Sequence, residues 1–333
     1  MQLPRKAMQS LHGFMPVRNW AVTQAREGHT MHRRSLVNGL FTYAALRGLG
    51  WMGVGTGLVA SPLWVSYARA QSQPHALMQP IRVSAASDLK FALADVLNLF
   101  QRDTGLSVVA TYGSSGQFAR QIVQGLPTDL FMSADEALVT QLADKGLTKD
   151  PGVVYAVGRL ALIVPRALAA GLPTDGDWPT LQAALAQTLA SAPPPHAASQ
   201  PAQPKLEPSP KHSLTKFAIA NPEHAPYGRA AKEALTAMGL WRDVQARLVM
   251  GENVAQATQF VTTGAAQAGL TALSLAAAPE VAATTRHALV PGHLHAPLRQ
   301  RMALLKNARP QAKALYDYLQ TEAVRKQLQL KLQ

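Results

Sequence analysis

The sequence predicts an α/β protein of two lobes, each a mostly parallel sheet flanked by helices, with a ligand cleft between them. Three observations carry this. From Ile81 onward, short runs rich in Val, Ile and Ala alternate with segments of helical apolar periodicity. The run "VVYAVGRLALIVP", residues 153–165, is longer than one ordinary strand needs and holds Gly158 in its middle, so it marks where the chain leaves one lobe for the other. Four strands or loops empty into helices through small or amide-presenting residues, two in each half.

The elements follow in order. "IRVSAAS" reads as a short strand ending in small residues, and residues 88–102 place Leu89, Phe91, Leu93, Val96, Leu97, Leu99 and Phe100 largely on one helical side. "LSVVATYG" is a second strand, residues 117–124 a helix, and "TDLFMSAD" a third strand. Connections this tight between strand and helix require parallel pairing through right-handed crossovers. Beyond the long run, "KFAIANP" is a strand followed by a helix over 228–238. "ARLVM", a helix over 254–262 and "AGLTALS" come next. "QRMALLK" and a helix from about Pro310 to the end return to the first lobe. The expected divisions are a leader over 1–70, the first part of lobe I over 77–156, lobe II over 157–274, and the return over 275–333.

Within lobe II, residues 190–212 ("ASAPPPHAASQPAQPKLEPSPKH") are too rich in Pro, Ser and Ala to build a packed face, and read as an exposed excursion. The leader has its own pattern. "MHRRSLVNGL" pairs Arg33 and Arg34 ahead of an apolar, glycine-rich run, and "YARAQ" offers Ala68 and Ala70 as a small-x-small cleavage site. This is the form of a twin-arginine export signal cut after Ala70, which places the mature protein in the periplasm. Met31 is an alternative start. A membrane anchor is the competing reading, but Arg47 and Pro62 leave less clean apolar length than the ~20 residues a span requires.

Composition narrows the chemistry. The 333 residues are 47% hydrophobic, enough for a real core. The net charge of +13 suggests nucleic acid only until it is divided along the chain: residues 1–70 hold eight Lys/Arg and one Asp/Glu, leaving 24 against 18 from Gln71 on. No basic run is interleaved with aromatics, so no nucleic-acid partner is expected. The absence of cysteine removes disulfides, thiolate chemistry and a lipid-bearing cysteine. The histidines form no metal-binding spacing: His196 and His212 lie in the proline-rich stretch, His293 and His295 in "PGHLHAP". No cofactor is expected.

The four helix mouths are Ser87, Ser115, Tyr227 with Gly228, and Asn253 with Val254. Free N–H groups and the positive end of the helix dipole attract anions there, worth ~0.3–1 kcal/mol each at exposed sites. Ser and Asn are also the ordinary caps of any helix, and each mouth alone carries no more than that.

In order and spacing, "AASDLKFAL", "YGSSGQFARQIVQGLPTDLFMSAD", "ANPEHAPYGRAAKEAL" and "GENVAQATQFVTTGAAQAGL" resemble the periplasmic molybdate-binding proteins of ABC importers. The likeness covers roughly residues 81–274, with a weaker continuation in "ALYDYL". It implies a periplasmic-binding-protein fold that grips molybdate, and tungstate nearly as well, between its lobes, and a monomer that delivers it to membrane permease subunits. It also implies the donors: hydroxyl and amide of Ser87 and Ser115, and the backbone amides of Tyr227 and Val254. No residue would touch the metal itself. Some members add a tyrosine hydroxyl where this chain has Ala272; Thr271 and Ser274, beside it in sequence, are the hydroxyls that could replace it, and Ser114 is a further candidate donor at the second mouth.

Asp88 is the odd residue in such a site. A carboxylate facing a dianion at ~4 Å in a dry cleft is repelled by several kcal/mol, so it is expected to point away and favour the first helical turn. The alternative is that it accepts a hydrogen bond from a protonated oxyanion such as hydrogen phosphate. A binding protein for sulfate or phosphate is therefore the nearest rival. A serine hydrolase is a more distant one, because "GSSGQ" is not the GxSxG of a nucleophile elbow.

Overall fold

The computed structural model describes residues 79–175, 177–191 and 214–332. The leader with Met31 and the cleavage expected after Ala70, and the proline-rich stretch from 192 to 212 with its two histidines, lie outside the described residues.

The first lobe opens with β1 (Ile81–Ala86), a 3-10 turn over Ser87–Leu89, and α1 (Lys90–Thr104). Ile81, Val83 and Ala85 of the strand bury against Leu89, Leu93, Val96 and Phe100, the i, i+3, i+4 spacing that made the helix legible. Gly105, at φ +71°, ends α1 and donates its N–H to the carbonyl of Gln101 at 2.9 Å. Then come β2 (Val108–Gly113), α2 (Ser115–Val123), β3 (Leu130–Ser133), α3 (Glu136–Asp144) and β4 (Val153–Gly158). The Asp135 side chain caps α3 by accepting the Ala137 N–H at 2.9 Å.

The second lobe holds β5 (Leu160–Pro165), α4 (Trp178–Ser191), β6 (Phe217–Ala220), α5 (Pro226–Ala237), α6 (Trp241–Gln245) and β7 (Leu248–Gly251). It continues with α7 (Val254–Thr262), β8 (Ala268–Ala272), α8 (Leu273–Ala276), α9 (Pro279–Ala282) and β9 (Thr285–Leu289). The chain then returns through β10 (Leu298–Leu304), α10 (Ala312–Gln320) and α11 (Glu322–Leu332).

The two sheets repeat one plan, β2-β1-β3-β10-β4 and β7-β6-β8-β5-β9. In each, three strands run parallel and the fourth in line runs antiparallel to both neighbours: β10 between β3 and β4, β5 between β8 and β9. The sheets are therefore mixed: four of the five strands in each point the same way, as expected of a mostly parallel sheet, and one runs against them. A strand that enters its sheet from the other lobe has no crossover helix to fix its direction, and β5 and β10 are the strands that do so.

The boundaries shift for the same reason. β4 ends in the first sheet at Gly158 and β5 begins in the second at Leu160, so the passage lies at Arg159, not at 156/157. The return expected at 275 comes after Leu289, because β9 pairs with β5 from Leu289↔Ala161 to Thr285↔Pro165. Helix α5 starts at Pro226, two residues earlier than expected, with proline in the first turn where its missing N–H costs nothing. At the lobe boundary the strand ends are small, and Ala86 and Ala134 of the first lobe pack into the core of the second.

Candidate functional site

Those small strand ends let the two lobes meet around a small chamber, about 10 Å³ in volume in this closed form. Its lining includes Ser87, Asp88, Ser114 and Ser115 from one lobe and Tyr227, Asn253 and Val254 from the other, with no Lys or Arg among the described residues. All four helix mouths singled out in the sequence open here.

The serines differ in what their hydroxyls have left to give. Ser87 is 3% exposed and its Oγ accepts the N–H of Ala255 across the lobe boundary at 3.2 Å. Ser115 is 1% exposed and its Oγ accepts the N–H of Ala134 at 3.0 Å. In each case a lone pair is engaged and, among the described residues, nothing takes the hydroxyl proton. Ser114 is spent: its Oγ donates to the His224 carbonyl at 2.7 Å and lies 2.9 Å from His224 Nδ1. That carbonyl takes the hydroxyl proton, so Nδ1 is the protonated nitrogen and donates to Ser114. Burial holds the imidazole pKa below its ordinary value, against a smaller upward pull from Glu252.

The hydroxyls considered as replacements near Ala272 are engaged too. Ser274 Oγ donates to the Asp88 carbonyl at 2.8 Å. Thr271 Oγ1 is hydrogen-bonded to Thr258 Oγ1, and that group also bonds the Val254 carbonyl at 2.8 Å. Ala272 itself is fully buried at the end of β8. The backbone supplies what these side chains do not. Tyr227 and Val254 stand in the first turns of α5 and α7, where helix geometry leaves N–H groups without an intrahelical partner. Their neighbours are satisfied, Ala255 by Ser87 and Gln256 by the Asn253 side chain at 3.1 Å. Among the described residues no acceptor meets the Tyr227 or Val254 N–H.

Asp88 sits in the 3-10 turn ahead of α1, 1% exposed. Its Oδ2 accepts the Tyr227 hydroxyl at 3.2 Å and Gln300 Nε2 at 2.6 Å, while Oδ1 is buried with no partner. Burial raises its pKa to about 6, against the lowering effect of Gln300 and then Tyr227. Gln300 Nε2 also reaches the Tyr227 hydroxyl at 3.2 Å. The same burial, with Asp88 beside them, pushes the Tyr227 and Tyr155 hydroxyls well above their ordinary range, so both are neutral donors.

Sequence reasoning found the mouths and missed the contacts that hold them together: the Tyr227 hydroxyl, Gln300 and His224. A signal existed for one of them. In β10, Gln300 is fully buried between Arg299 and Arg301, both of which turn outward to Glu136. A polar residue on the inward side of an alternating strand marks a group with a buried partner. A further tie crosses the lobes outside the chamber, from Arg229 of α5 to Asp135 at the start of α3.

Comparison with known proteins identifies the family of this fold. The family model described as bacterial extracellular solute-binding protein matches residues 81–329. The molybdate-binding protein ModA of Azotobacter vinelandii is 33% identical over 242 residues, covering 72% of this chain and 83% of its own. That of Rhodobacter capsulatus is 33% identical over 227 residues, 67% of this chain and 75% of its own. Among solved structures, the Azotobacter vinelandii periplasmic molybdate-binding protein superposes with a TM-score of 0.59 at 25% identity, over 74% of this chain and 97% of that one. The chain belongs to the bacterial extracellular solute-binding proteins and, among them, to the ModA family.

Proposed function

We propose that this protein captures molybdate between its lobes and hands it to the membrane subunits of an ABC importer, acting as a carrier and not a catalyst. The observation that carries the reading is the donor set. Two serine hydroxyls with unclaimed protons, Ser87 and Ser115, and two unclaimed backbone N–H groups, Tyr227 and Val254, border one chamber with no cationic side chain in its lining. Molybdate at neutral pH is a fully deprotonated tetrahedral dianion, which accepts hydrogen bonds and donates none. Donors aimed at an ionised partner make the stronger kind of hydrogen bond. Because each lobe supplies half of them, the ion favours the closed form, and closure is what a permease reads.

The relatives' names point to molybdate over other tetrahedral anions, and tungstate fits the same donors. Sulfate differs only in size. The twin-arginine pattern and the Ala68–Ala70 site support delivery to the periplasm by a signal cut after Ala70, and the carrier is expected to act as a monomer. The test is a thermal-shift series with molybdate, tungstate, sulfate, phosphate and chromate, since a ligand that binds only the native form raises the melting temperature. Molybdate and tungstate are expected to give the large shifts. A larger shift with phosphate or sulfate would replace the proposed ligand.

A further inference from the structure

Asp88 lies in the chamber wall beside Ser87, fully buried, and no Lys or Arg reaches it among the described residues. The elements packed on its turn offer no compensating charge. The helices α7 and α8 carry no ionisable side chain, β2 brings Tyr112, β4 brings Tyr155, and α5 brings Tyr227. On β10, Arg299 and Arg301 flank Gln300 but are paired with Glu136 on the other face. Lys90, two residues on, is exposed and stands over the Phe91 ring.

The hydrogen bonds at the carboxyl group are lopsided. Oδ2 takes both donors, Tyr227 and Gln300, and Oδ1 takes none. This is the pattern of a carboxylic acid, with Oδ2 as its carbonyl oxygen and a proton on Oδ1. Gln300 Oε1 is a second buried acceptor without a donor in the same cluster among the described residues. A dianion in the chamber adds a like charge that disfavours the ionised form further.

We propose that Asp88 is the neutral acid in the loaded, closed protein, so that capturing the dianion takes up one proton from solvent onto Oδ1. This rests on the anion-carrier reading above. It makes Asp88 a positioning residue: as an acid it keeps its grip on the Tyr227 hydroxyl, and so on the Tyr227 N–H at the chamber, without repelling the cargo. Its pKa of about 6 without ligand leaves the group mostly ionised at neutral pH, so the proton must arrive with the anion. Affinity then falls as pH rises, by up to about tenfold per unit above the pKa of the free protein.

The experiment is titration calorimetry of the full chain with sodium molybdate at pH 7.5 in buffers of different ionisation enthalpy, which counts protons exchanged per ion bound. Uptake approaching about one proton is expected for the wild type, and close to none for Asp88→Asn, whose amide has no proton to gain. Binding by the wild type without proton uptake overturns the inference and leaves the carrier reading standing. Equal uptake in Asp88→Asn overturns the assignment to this residue. Absence of molybdate binding in the wild type overturns both. Should Asp88→Asn fail to fold, the ¹³C carboxyl shift of Asp88 in the wild type, followed against pH with and without molybdate, decides the matter: an unchanged midpoint refutes the proposal.

Discussion

Gly116 donates its N–H to the carbonyl oxygen of His224 at 3.0 Å, and a Cβ on that glycine would lie 2.3 Å from the same oxygen. Helix α2 of one lobe thus meets the backbone of the other at a separation only glycine permits. Gly116→Ala is expected to hold the lobes ajar while leaving each one folded. The cost falls on the closed form alone, about 1–3 kcal/mol as for other overpacked contacts, so molybdate affinity should drop roughly 5- to 150-fold. Calorimetry measures the loss, and solution scattering should show a more open protein even at saturating ligand. Unchanged affinity would mean that the lobes close without this contact.

Much of the architecture was written in local patterns. β1, α1 and the four mouths follow from apolar period, small strand ends and capping residues, signals that need no knowledge of the rest of the chain. What stayed hidden depends on long-range pairing. The antiparallel direction of β5 and β10 follows from which sheet each joins, and Gln300 finds Asp88 across 212 positions of sequence. The serines show the same limit: Ser114, Thr271 and Ser274 stood in sequence as additional candidates behind Ser115, and their partners show that these hydroxyls are already engaged.

That distinction is testable at adjacent positions. Ser115→Ala removes an unclaimed donor at the proposed site and strands the Ala134 N–H, and it should weaken molybdate binding by about 1–3 kcal/mol. Ser114→Ala removes a hydroxyl already committed to His224 and should act through closure only, with a smaller loss of about 1 kcal/mol. Calorimetry on the two variants compares them directly, and an order with Ser114 costing more would reverse the assignment.

The raised pKa of Asp88 also predicts how the ligand-free protein responds to acid. Its folded value, about 6, lies above the ordinary 3.8, so the folded state holds the proton more tightly than the unfolded chain. The resulting stability is fully present below about pH 4 and is lost as pH rises through 6, at most roughly 3 kcal/mol in all. Urea unfolding of the wild type and of Asp88→Asn across pH 4–8 isolates this part. The difference in stability between the two should move in favour of the variant as pH rises, and a difference constant over that range would show that Asp88 titrates normally.

Gly158, the last residue of β4 before the chain changes lobes, is where the Tyr227 hydroxyl is seated. A Cβ there would lie 2.2 Å from that oxygen and 2.7 Å from Gln300 Nε2. Gly158→Ala should therefore displace the hydroxyl from Asp88 and cost about 1–3 kcal/mol. Tyr227→Phe removes the oxygen and leaves the backbone N–H in place, so its cost is that of the hydroxyl's two buried hydrogen bonds, to Asp88 and from Gln300, about 1–3 kcal/mol. If both changes act on the same contact, the double variant is less impaired than the sum of its parts, with a coupling of about 0.5 kcal/mol or more. Stability and molybdate affinity measured on all four proteins close the cycle. Strict additivity would mean that the Gly158 backbone and the Tyr227 hydroxyl are independent, and that the glycine at the lobe crossing serves another purpose.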